Sequence, residues 1–326
     1  MQVTLNVRRY DPEGEDGARW QSYDLDFPEH FTVLDCLIHI REFVDGTLGL
    51  RTSCRSAICG SCAMRINGHA ALACKIKLAE ALKDGAVTVE PMGNLPVVKD
   101  LVVDMVPLWD KIRAVQPWLQ PEGPPPEREH QVPDAAMTHL SEVMNCIMCG
   151  ACVSDCTVLE AELKQGKPYE ETFLAPAALA KAYRFVADPR DAQQAERLRA
   201  LSESHGNWDC THCFECVQVC PKGVAPMDRI LKMREMAVDQ GIRTGNGPRH
   251  HDAFAFSIEK SGRLYETTFA VKSVGFLNLP EVIPMMPTGL RMARAGKAPI
   301  RHHGIPNVKP VKRIFQKTRK ARKAAS

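Results

Sequence analysis

The chain has 326 residues, 44% of them hydrophobic, which is enough to fill ordinary cores and excludes a disordered protein. No run of about 18 or more apolar residues occurs, which excludes a transmembrane helix within the chain. The net charge of +3 is unevenly distributed, because no acidic residue follows Glu281 and twelve basic residues do. We therefore expect compact domains followed by a basic tail.

Thirteen cysteines are the most unusual feature of the composition. They could form disulfides in a secreted protein, but no apolar export segment precedes the alternating residues 1–9. The thiols are therefore expected to stay reduced, and ligation of soft metals is the better interpretation.

Residues 1–115 predict a small sheet that packs against one helix. Apolar residues alternate within 3–7 and within 23–27, as in half-buried strands. The Thr32–Asp35 stretch has the form of a capping box before an apolar run at helical spacing. Further along, Asn67-Gly68 separates two short apolar stretches and predicts a tight hairpin. Together with the cysteine-rich loop after the helix, this outline resembles a plant-type ferredoxin.

That loop contains the first group of cysteines: Cys54, Cys59, Cys62 and Cys74. Their order and spacing predict a [2Fe–2S] cluster, with the first two cysteines on one iron and the last two on the other. The intervening residues are mostly small, so backbone N–H groups can approach the sulfurs. A zinc site is the alternative, but zinc usually takes paired Cys-x2–4-Cys motifs, which this order does not supply.

Residues 116–133 contain six prolines, which favour an extended spacer rather than a core element. The pattern then becomes helical up to residue 241. Helices are predicted at 174–184, 192–203 and 226–240, where residues with high helix propensity dominate.

Two cysteine quartets with the same spacing, Cys-x2-Cys-x2-Cys-x3-Cys, lie within this helical part. The spacing is that of bacterial ferredoxins, in which the fourth cysteine of each run ligates the other cluster. Two full quartets argue against a structural role without clusters. The predicted ligands of one [4Fe–4S] cluster are Cys146, Cys149, Cys152 and Cys220. The predicted ligands of the third cluster are Cys156, Cys210, Cys213 and Cys216.

No catalytic residue is predicted, because the sequence has no Gly-rich dinucleotide loop, nucleophile elbow or acid/base constellation. The thirteenth cysteine, Cys36, has no partner at ligand spacing and is expected to be a small buried hydrophobe. The chain should carry electrons and perform no bond chemistry alone.

The C-terminal extension, residues 242–326, is strongly basic beyond Glu281. Anionic lipid headgroups would attract it by roughly 1 kcal/mol per charge close to the surface. A solvated, partly disordered end is an equally good interpretation. Nucleic acid is not expected as a partner, because aromatic residues that could stack on bases are almost absent beyond Glu281, where Phe315 is the exception. The basic residues are Arg291, Arg294, Lys297, Arg301, Lys309, Lys312, Arg313, Lys317, Arg319, Lys320, Arg322 and Lys323.

Residues 53–68 (SCRSAICGSCAMRING) closely resemble the [2Fe–2S] signature of the iron–sulfur subunit of succinate dehydrogenase and fumarate reductase. Residues 99–105, 183–185 and 220–223 also resemble the corresponding segments of this family. The resemblance covers roughly residues 1–240 in order. It implies an α+β fold with a plant-type ferredoxin (β-grasp) domain followed by a mostly α-helical, bacterial ferredoxin-like domain with two clusters. The expected boundaries are 1–115, a linker at 116–133, 134–241, and an extension at 242–326.

The resemblance also implies the function. The chain would be the electron-transfer subunit of a succinate:quinone oxidoreductase, between an FAD-containing flavoprotein subunit and a membrane anchor subunit that is either cysteine-rich or haem-bearing. FAD and quinone would bind the partner subunits, and the complex would lie peripherally on the cytoplasmic side of the membrane. The alternative is a subunit of a thiol-linked fumarate reductase or of another flavoprotein complex.

The sequence departs from the family pattern at two places. Most members lack a cysteine at the position of Cys213 and hold [3Fe–4S] there, so we predict [4Fe–4S] for the third cluster, with [3Fe–4S] as the alternative. Thr157–Ala161 replaces a proline and a tryptophan that shape the usual quinone pocket, and Thr211 stands where the quinone-site histidine is usual. These departures favour the subgroup with a cysteine-rich membrane subunit, or a low-potential quinone such as menaquinone.

Overall fold

The computed structural model of the protein describes residues 1–15, 17–124, 126–203, 205–243, 245–297 and 302–325. Two features of the sequence analysis, Pro125 of the linker and Arg301 of the tail, lie outside these residues. The chain folds as two compact units, Met1–Ala237 and Val238–Ser326.

The first unit begins with a mixed five-stranded sheet in the order β2-β1-β5-β3-β4. β1 is antiparallel to β2 and parallel to β5, and β3 is antiparallel to both β4 and β5. Alternate residues of β1 and β5 are fully buried, which accounts for the period-2 apolar pattern. The strands are β1 (Gln2–Arg9), β2 (Arg19–Asp26), β3 (Ala63–Ile66), β4 (His69–Leu72) and β5 (Ala86–Glu90).

The predicted helix and hairpin of this domain are confirmed. Helix α1 (Val33–His39) begins at a capping box, in which the Thr32 hydroxyl accepts from the backbone of Asp35 at 3.2 Å and the Asp35 carboxylate accepts from the backbone of Thr32 at 3.0 Å. A π-helical turn (Ile40–Val44) follows it directly. In the β3–β4 turn, Asn67 and Gly68 both have positive φ, 51° and 85°, which matches the twist of the flanking strands.

The rest of the ferredoxin-like part is a helix, a second sheet and another helix: α2 (Leu78–Ala81), the two-stranded β6 (Val97–Lys99) and β7 (Val102–Val103), and α3 (Val106–Ala114). Within 116–124 and 126–133 the described chain has no helix or strand. The buried Arg197 holds the start of this linker, since its guanidinium donates to the backbone carbonyls of Val115, Gln116 and Trp118 at 2.8–3.2 Å.

The remainder of the first unit is helical, and the three predicted helices are confirmed within two residues at each end. The central helix α7 (Ala175–Val186) is buried along most of its length and packs against α3, α4, α5 and α8. The other helices are α4 (Asp134–Met144), α5 (Ala151–Ser154), α6 (Thr157–Lys164), α8 (Gln194–Leu201), α9 (Glu215–Gln218) and α10 (Pro226–Asp239), with short 3-10 turns at Tyr169–Glu171 and Asn207–Asp209.

The second unit consists of helices that the sequence analysis did not predict. α11 packs against both α12 and α15. None of the helices in the described part of the chain is long and apolar enough to cross a bilayer. The helices are α11 (Asn246–Ser261), α12 (Glu266–Val274), α13 (Leu279–Val282), α14 (Met286–Arg294) and α15 (Lys309–Ala325), with a 3-10 turn at Ile283–Met285.

Candidate iron–sulfur sites

The loop before β3 wraps the first group of cysteines with backbone N–H groups. The N–H groups of Ser56, Ile58 and Cys59 point at the Cys54 sulfur, at 3.3–3.5 Å. The N–H of Ala57 points at the Cys74 sulfur at 3.3 Å. Such concavities of backbone N–H groups stabilise anions and are common around iron–sulfur clusters.

Left-handed residues make this loop possible. Arg55, Ala57 and Gly60 have φ of 54°, 54° and 76°, and the alternation turns successive N–H groups to one side. The hydrogen bond from the Ser61 side chain is the main cause that lowers the pKa of Cys59 to about 6, whereas burial raises the pKa of Cys62 to about 12. The negative charges of Cys59 and Cys74 also raise the pKa of Cys62, which means that these thiols are neighbours.

The first predicted [4Fe–4S] ligands come together around a small apolar cavity. Cys146, Cys149, Cys152 and Cys220 all line it, with Ala177, Pro221, Val224 and Pro226 among the other walls. Burial is the largest cause that raises the pKa of Cys149, to about 11, followed among the charged neighbours by Cys146 and Cys220. A pocket of soft ligands with mostly apolar walls, in which Lys222 is a cation and no carboxylate occurs, fits a cluster core.

The second predicted ligand set is also assembled. Burial raises the pKa of Cys156 to about 11, and the charges of Cys213 and Cys210 raise it further. Cys216 has a pKa raised to about 12 by burial and then by Cys210, Cys156 and Cys213. The structure thus brings the fourth cysteine of the first run, Cys156, beside the second run, as the ferredoxin spacing predicts. Cys213 is the exposed member of the set.

The two quartet loops share a backbone conformation that sequence reasoning missed. Met148 and Gly150, on either side of Cys149, have φ of 57° and 82°. His212 and Phe214, on either side of Cys213, have φ of 62° and 66°. A left-handed phenylalanine is unfavourable, so the second loop adopts this shape against the preference of its residues. Gly150, which occupies in the first loop the position of Phe214 in the second, was the residue in the sequence that indicated a left-handed conformation.

Arg234 of α10 fixes the second loop, and the sequence analysis did not single it out. Its guanidinium donates to the backbone carbonyls of Asn207 and Cys210 at 2.7–2.9 Å, and it contacts His212. It also lies over the Trp208 ring, 5.1 Å from the centroid. Burial lowers the pKa of Arg234, and the charges of Cys210 and Asp209 oppose that change. This side chain therefore positions the backbone that carries Cys210.

The first site adjoins the second without an intervening side chain. A Cβ placed on Gly60 would lie 2.8 Å from the Cβ of Cys149 and 2.9 Å from its Cα. Only a glycine lets the two backbones approach this closely. A second cavity is lined by both Cys59 and Cys149, and methionines and Trp109 form much of its wall.

A buried carboxylate holds the ferredoxin-like domain to the helical domain. Asp155 accepts hydrogen bonds from the Arg65 guanidinium at 2.9 Å and from the backbone of Ala70 at 2.8 Å. The side-chain amide of Asn94 adds bonds to the carbonyls of Val153, Ser154 and Cys156 at 2.9–3.1 Å. These contacts fix Cys156 relative to the sheet.

All thirteen cysteines lie outside disulfides. Among the residues that the structure describes, no three His, Cys, Asp or Glu side chains form a site for a metal ion. The assignment of the twelve cysteines as cluster ligands therefore stays a prediction. Cys36 is fully buried in α1, as expected for a packing residue, and burial raises its pKa to about 12.

Comparison with known protein families agrees with this organisation. A family model described as a 2Fe-2S iron–sulfur cluster binding domain matches residues 4–110. A second, described as a 4Fe-4S dicluster domain, matches residues 142–224. The protein is therefore of the iron–sulfur class, with a [2Fe–2S] ferredoxin domain followed by a [4Fe–4S] domain, as predicted.

Individual relatives narrow this class. The fumarate reductase iron–sulfur subunit of Mycobacterium tuberculosis is 38% identical over 243 residues, 74% of this chain and 95% of that protein. The 8-methylmenaquinol:fumarate reductase iron–sulfur subunit of Wolinella succinogenes is 33% identical over 274 residues, 82% of each chain. A solved structure, the Mycobacterium smegmatis Sdh1 complex in the apo form, matches with a TM-score of 0.64 and 25% identity over 73% of this chain and 96% of that one. The chain belongs to the family of iron–sulfur subunits of succinate dehydrogenase and fumarate reductase, which confirms the expected family.

Proposed function

We propose that the chain relays electrons between an FAD-containing flavoprotein subunit and a membrane subunit that reacts with quinone. The observation that carries this proposal is the meeting of three groups of thiols within one compact unit. Gly60 of the first group lies against Cys149 of the second, and α5, which contains Cys152 of the second group, packs against α9, which contains Cys216 of the third. Bound iron–sulfur clusters supply reversible one-electron transfer and nothing more. The residues of the chain hold the thiols, exclude water around the buried ones and aim N–H groups at the sulfurs.

The proposed third cluster is [4Fe–4S], with Cys213 as its fourth ligand. The repeated left-handed pair around Cys149 and Cys213 supports equivalent roles for these two cysteines. The influence of Cys213 on the pKa of both Cys156 and Cys216 supports the same assignment. A [3Fe–4S] cluster, held by three thiolates, is the alternative.

The finer fold assignment is also a proposal. A mixed sheet whose central strands β1 and β5 are parallel, with α1 inserted between β2 and β3, supports a β-grasp domain at 1–115. The linker at 116–133 and the helical domain at 134–241 follow, and 242–326 is the basic extension.

The membrane partner is proposed to be a cysteine-rich anchor or one that uses a low-potential quinone. Thr157, which begins α6 directly after Cys156, stands where the family usually has a proline. Thr211, which is exposed, stands where the family usually has the quinone-site histidine. The Wolinella relative, named for 8-methylmenaquinol, supports the second option. We place the complex peripherally on the cytoplasmic face, where the basic extension would contact lipid or the anchor.

Purification of the native complex tests the function. A flavoprotein that copurifies and couples succinate oxidation or fumarate reduction to a quinone analogue is expected. A copurifying flavoprotein that ignores succinate and reduces fumarate with a thiol donor would contradict the quinone role and favour a thiol-linked fumarate reductase.

Electron paramagnetic resonance tests the third cluster. The oxidised native protein should lack a [3Fe–4S] signal, and Cys213→Ser should create one because a ligand is lost. Cys36→Ala, which removes a cysteine outside the three groups, is the control and should leave the spectrum unchanged. A [3Fe–4S] signal in the oxidised native protein, or a Cys213→Ser spectrum equal to that of the native protein, would remove Cys213 from the ligand set.

A further inference from the structure

The second unit carries a stripe of exposed apolar side chains along consecutive helical turns. Leu279, Ile283, Met286 and Leu290 are spaced by four, three and four residues, which places them on one face of α13, the 3-10 turn and α14. Each exposes more than half of its surface: 59%, 57%, 65% and 54%. Soluble proteins rarely leave such a continuous apolar surface without a partner. We call these four residues the apolar stripe.

One side chain tethers α13 to the unit, whereas residues 286–297 are all exposed. Glu281 lies two residues from both Leu279 and Ile283, and its carboxylate accepts a hydrogen bond from the Asn246 side chain at 2.6 Å. Since a two-residue step rotates a helix by more than half a turn, this tether lies on the other side of α13 from Leu279 and Ile283. Two further apolar residues, Phe276 and Leu277, precede the stripe and expose 60% and 95%.

The charges that follow the stripe have a single sign. Arg291, Arg294 and Lys297 are exposed at its end. No acidic residue occurs between Glu281 and the end of the chain. A run of apolar side chains followed by cations, with Glu281 as the one carboxylate of residues 276–294 and hydrogen-bonded to Asn246, matches the acyl and phosphate layers of an anionic bilayer. A protein partner would more often be met with mixed charges and with tryptophan or tyrosine anchors.

We propose that residues 276–294 lie in the interface of an anionic lipid bilayer, with the apolar stripe among the acyl chains and Arg291 and Arg294 at the phosphates. This inference rests on the proposed peripheral membrane location and goes beyond it by assigning the segment and the lipid class. The contact is independent of the anchor subunit. It adds apolar insertion to the electrostatic attraction that the basic extension supplies.

Flotation of the full-length chain with its clusters tests the proposal. Vesicles of phosphatidylcholine containing about one third phosphatidylglycerol should bind the protein, and pure phosphatidylcholine should bind it much less. Met286→Ser with Leu290→Ser should weaken binding to the anionic vesicles roughly tenfold or more. Arg291→Gln with Arg294→Gln should weaken binding to the anionic vesicles and reduce its dependence on salt.

A matched pair of single substitutions separates the stripe from general surface hydrophobicity. Met286→Ser removes a stripe residue, whereas Met292→Ser removes an exposed methionine of the same helix that lies six residues further on and hence on another face. Binding should fall for the first variant and stay unchanged for the second. Equal binding by the wild type and the stripe variants, or equal loss with Met286→Ser and Met292→Ser, would overturn the proposal.

The failure of this inference can be told from a failure of the proposed function. The same preparations, with the flavoprotein, are assayed with a soluble dye as electron acceptor. Normal dye reduction without vesicle binding would reject the lipid contact alone and indicate that a protein covers the stripe. Vesicle binding without dye reduction by the assembled complex would reject the function and leave the lipid contact standing.

Discussion

Gly60, between two ligands of the first predicted cluster, can be tested by replacement with alanine. The new Cβ would meet the Cβ and Cα of Cys149 at 2.8 and 2.9 Å, well inside van der Waals contact. The obstacle is partly backbone, which cannot rotate away as the end of a long side chain can. Either the first loop or the loop of the second cluster must therefore shift.

The expected loss of stability has two parts. Alanine at the left-handed φ of 76° costs about 1–2 kcal/mol. Overpacking against Cys149 adds about 1–3 kcal/mol. We therefore expect Gly60→Ala to lower the free energy of unfolding by roughly 2–5 kcal/mol.

Gly68→Ala is the matched control. Gly68 has a similar φ of 85° and no atom within 4 Å of its would-be Cβ, so it should show only the conformational cost. Anaerobic urea unfolding should show a larger loss of stability for Gly60→Ala than for Gly68→Ala. The paramagnetic resonance spectrum of the reduced protein should show an altered interaction between the first two clusters in Gly60→Ala only. If Gly60→Ala is no less stable than Gly68→Ala and its spectrum is native, the close approach of the two sites is refuted.

Three further substitutions test other parts of the structure. Asp155→Asn should lower stability by about 2–3 kcal/mol in urea unfolding, because it removes the charge that pairs with Arg65. Breaking the exposed Lys164–Glu160 ion pair is the control and should cost less than about 0.5 kcal/mol; equal effects would contradict the domain link. Burial lowers the pKa of Lys111 to about 8, so this side chain binds fewer protons in the folded state than in the unfolded state between pH 8 and about 10.4. Its contribution to stability should therefore rise with pH in that range. Lys111→Met should abolish roughly 3 kcal/mol of that rise, and parallel pH profiles would refute the assignment. Cys36→Ala should keep the full iron content, measured by elemental analysis, because its thiol packs in α1; loss of one cluster would contradict this role.

Local features of the fold could be predicted because neighbouring residues determine them. The Thr32–Asp35 capping box and the Asn67-Gly68 turn both formed where the sequence indicated, and the helix around 226–240 lies within one residue of its expected end. The cysteine groups were recognisable for a similar reason, since ligand spacing within a loop is a local property.

Contacts between distant segments could not be predicted. β5 lies in the middle of the sheet, parallel to β1, and nothing in its own sequence indicates which strands it pairs with. Asp155 bonds to Arg65 across 90 residues, and nothing in either local sequence reveals it. The second unit was expected to be a solvated tail or a lipid-binding tail, because its charge obscured the helical spacing of apolar residues in α14.

The most direct test of the central claim is the iron and acid-labile sulfide content of the chain purified without oxygen. Commitment of twelve cysteines to one [2Fe–2S] and two [4Fe–4S] clusters predicts about ten iron and ten sulfide atoms per chain. A value near two, or zinc in place of iron with no labile sulfide, would contradict the assignment of the two quartets as cluster ligands.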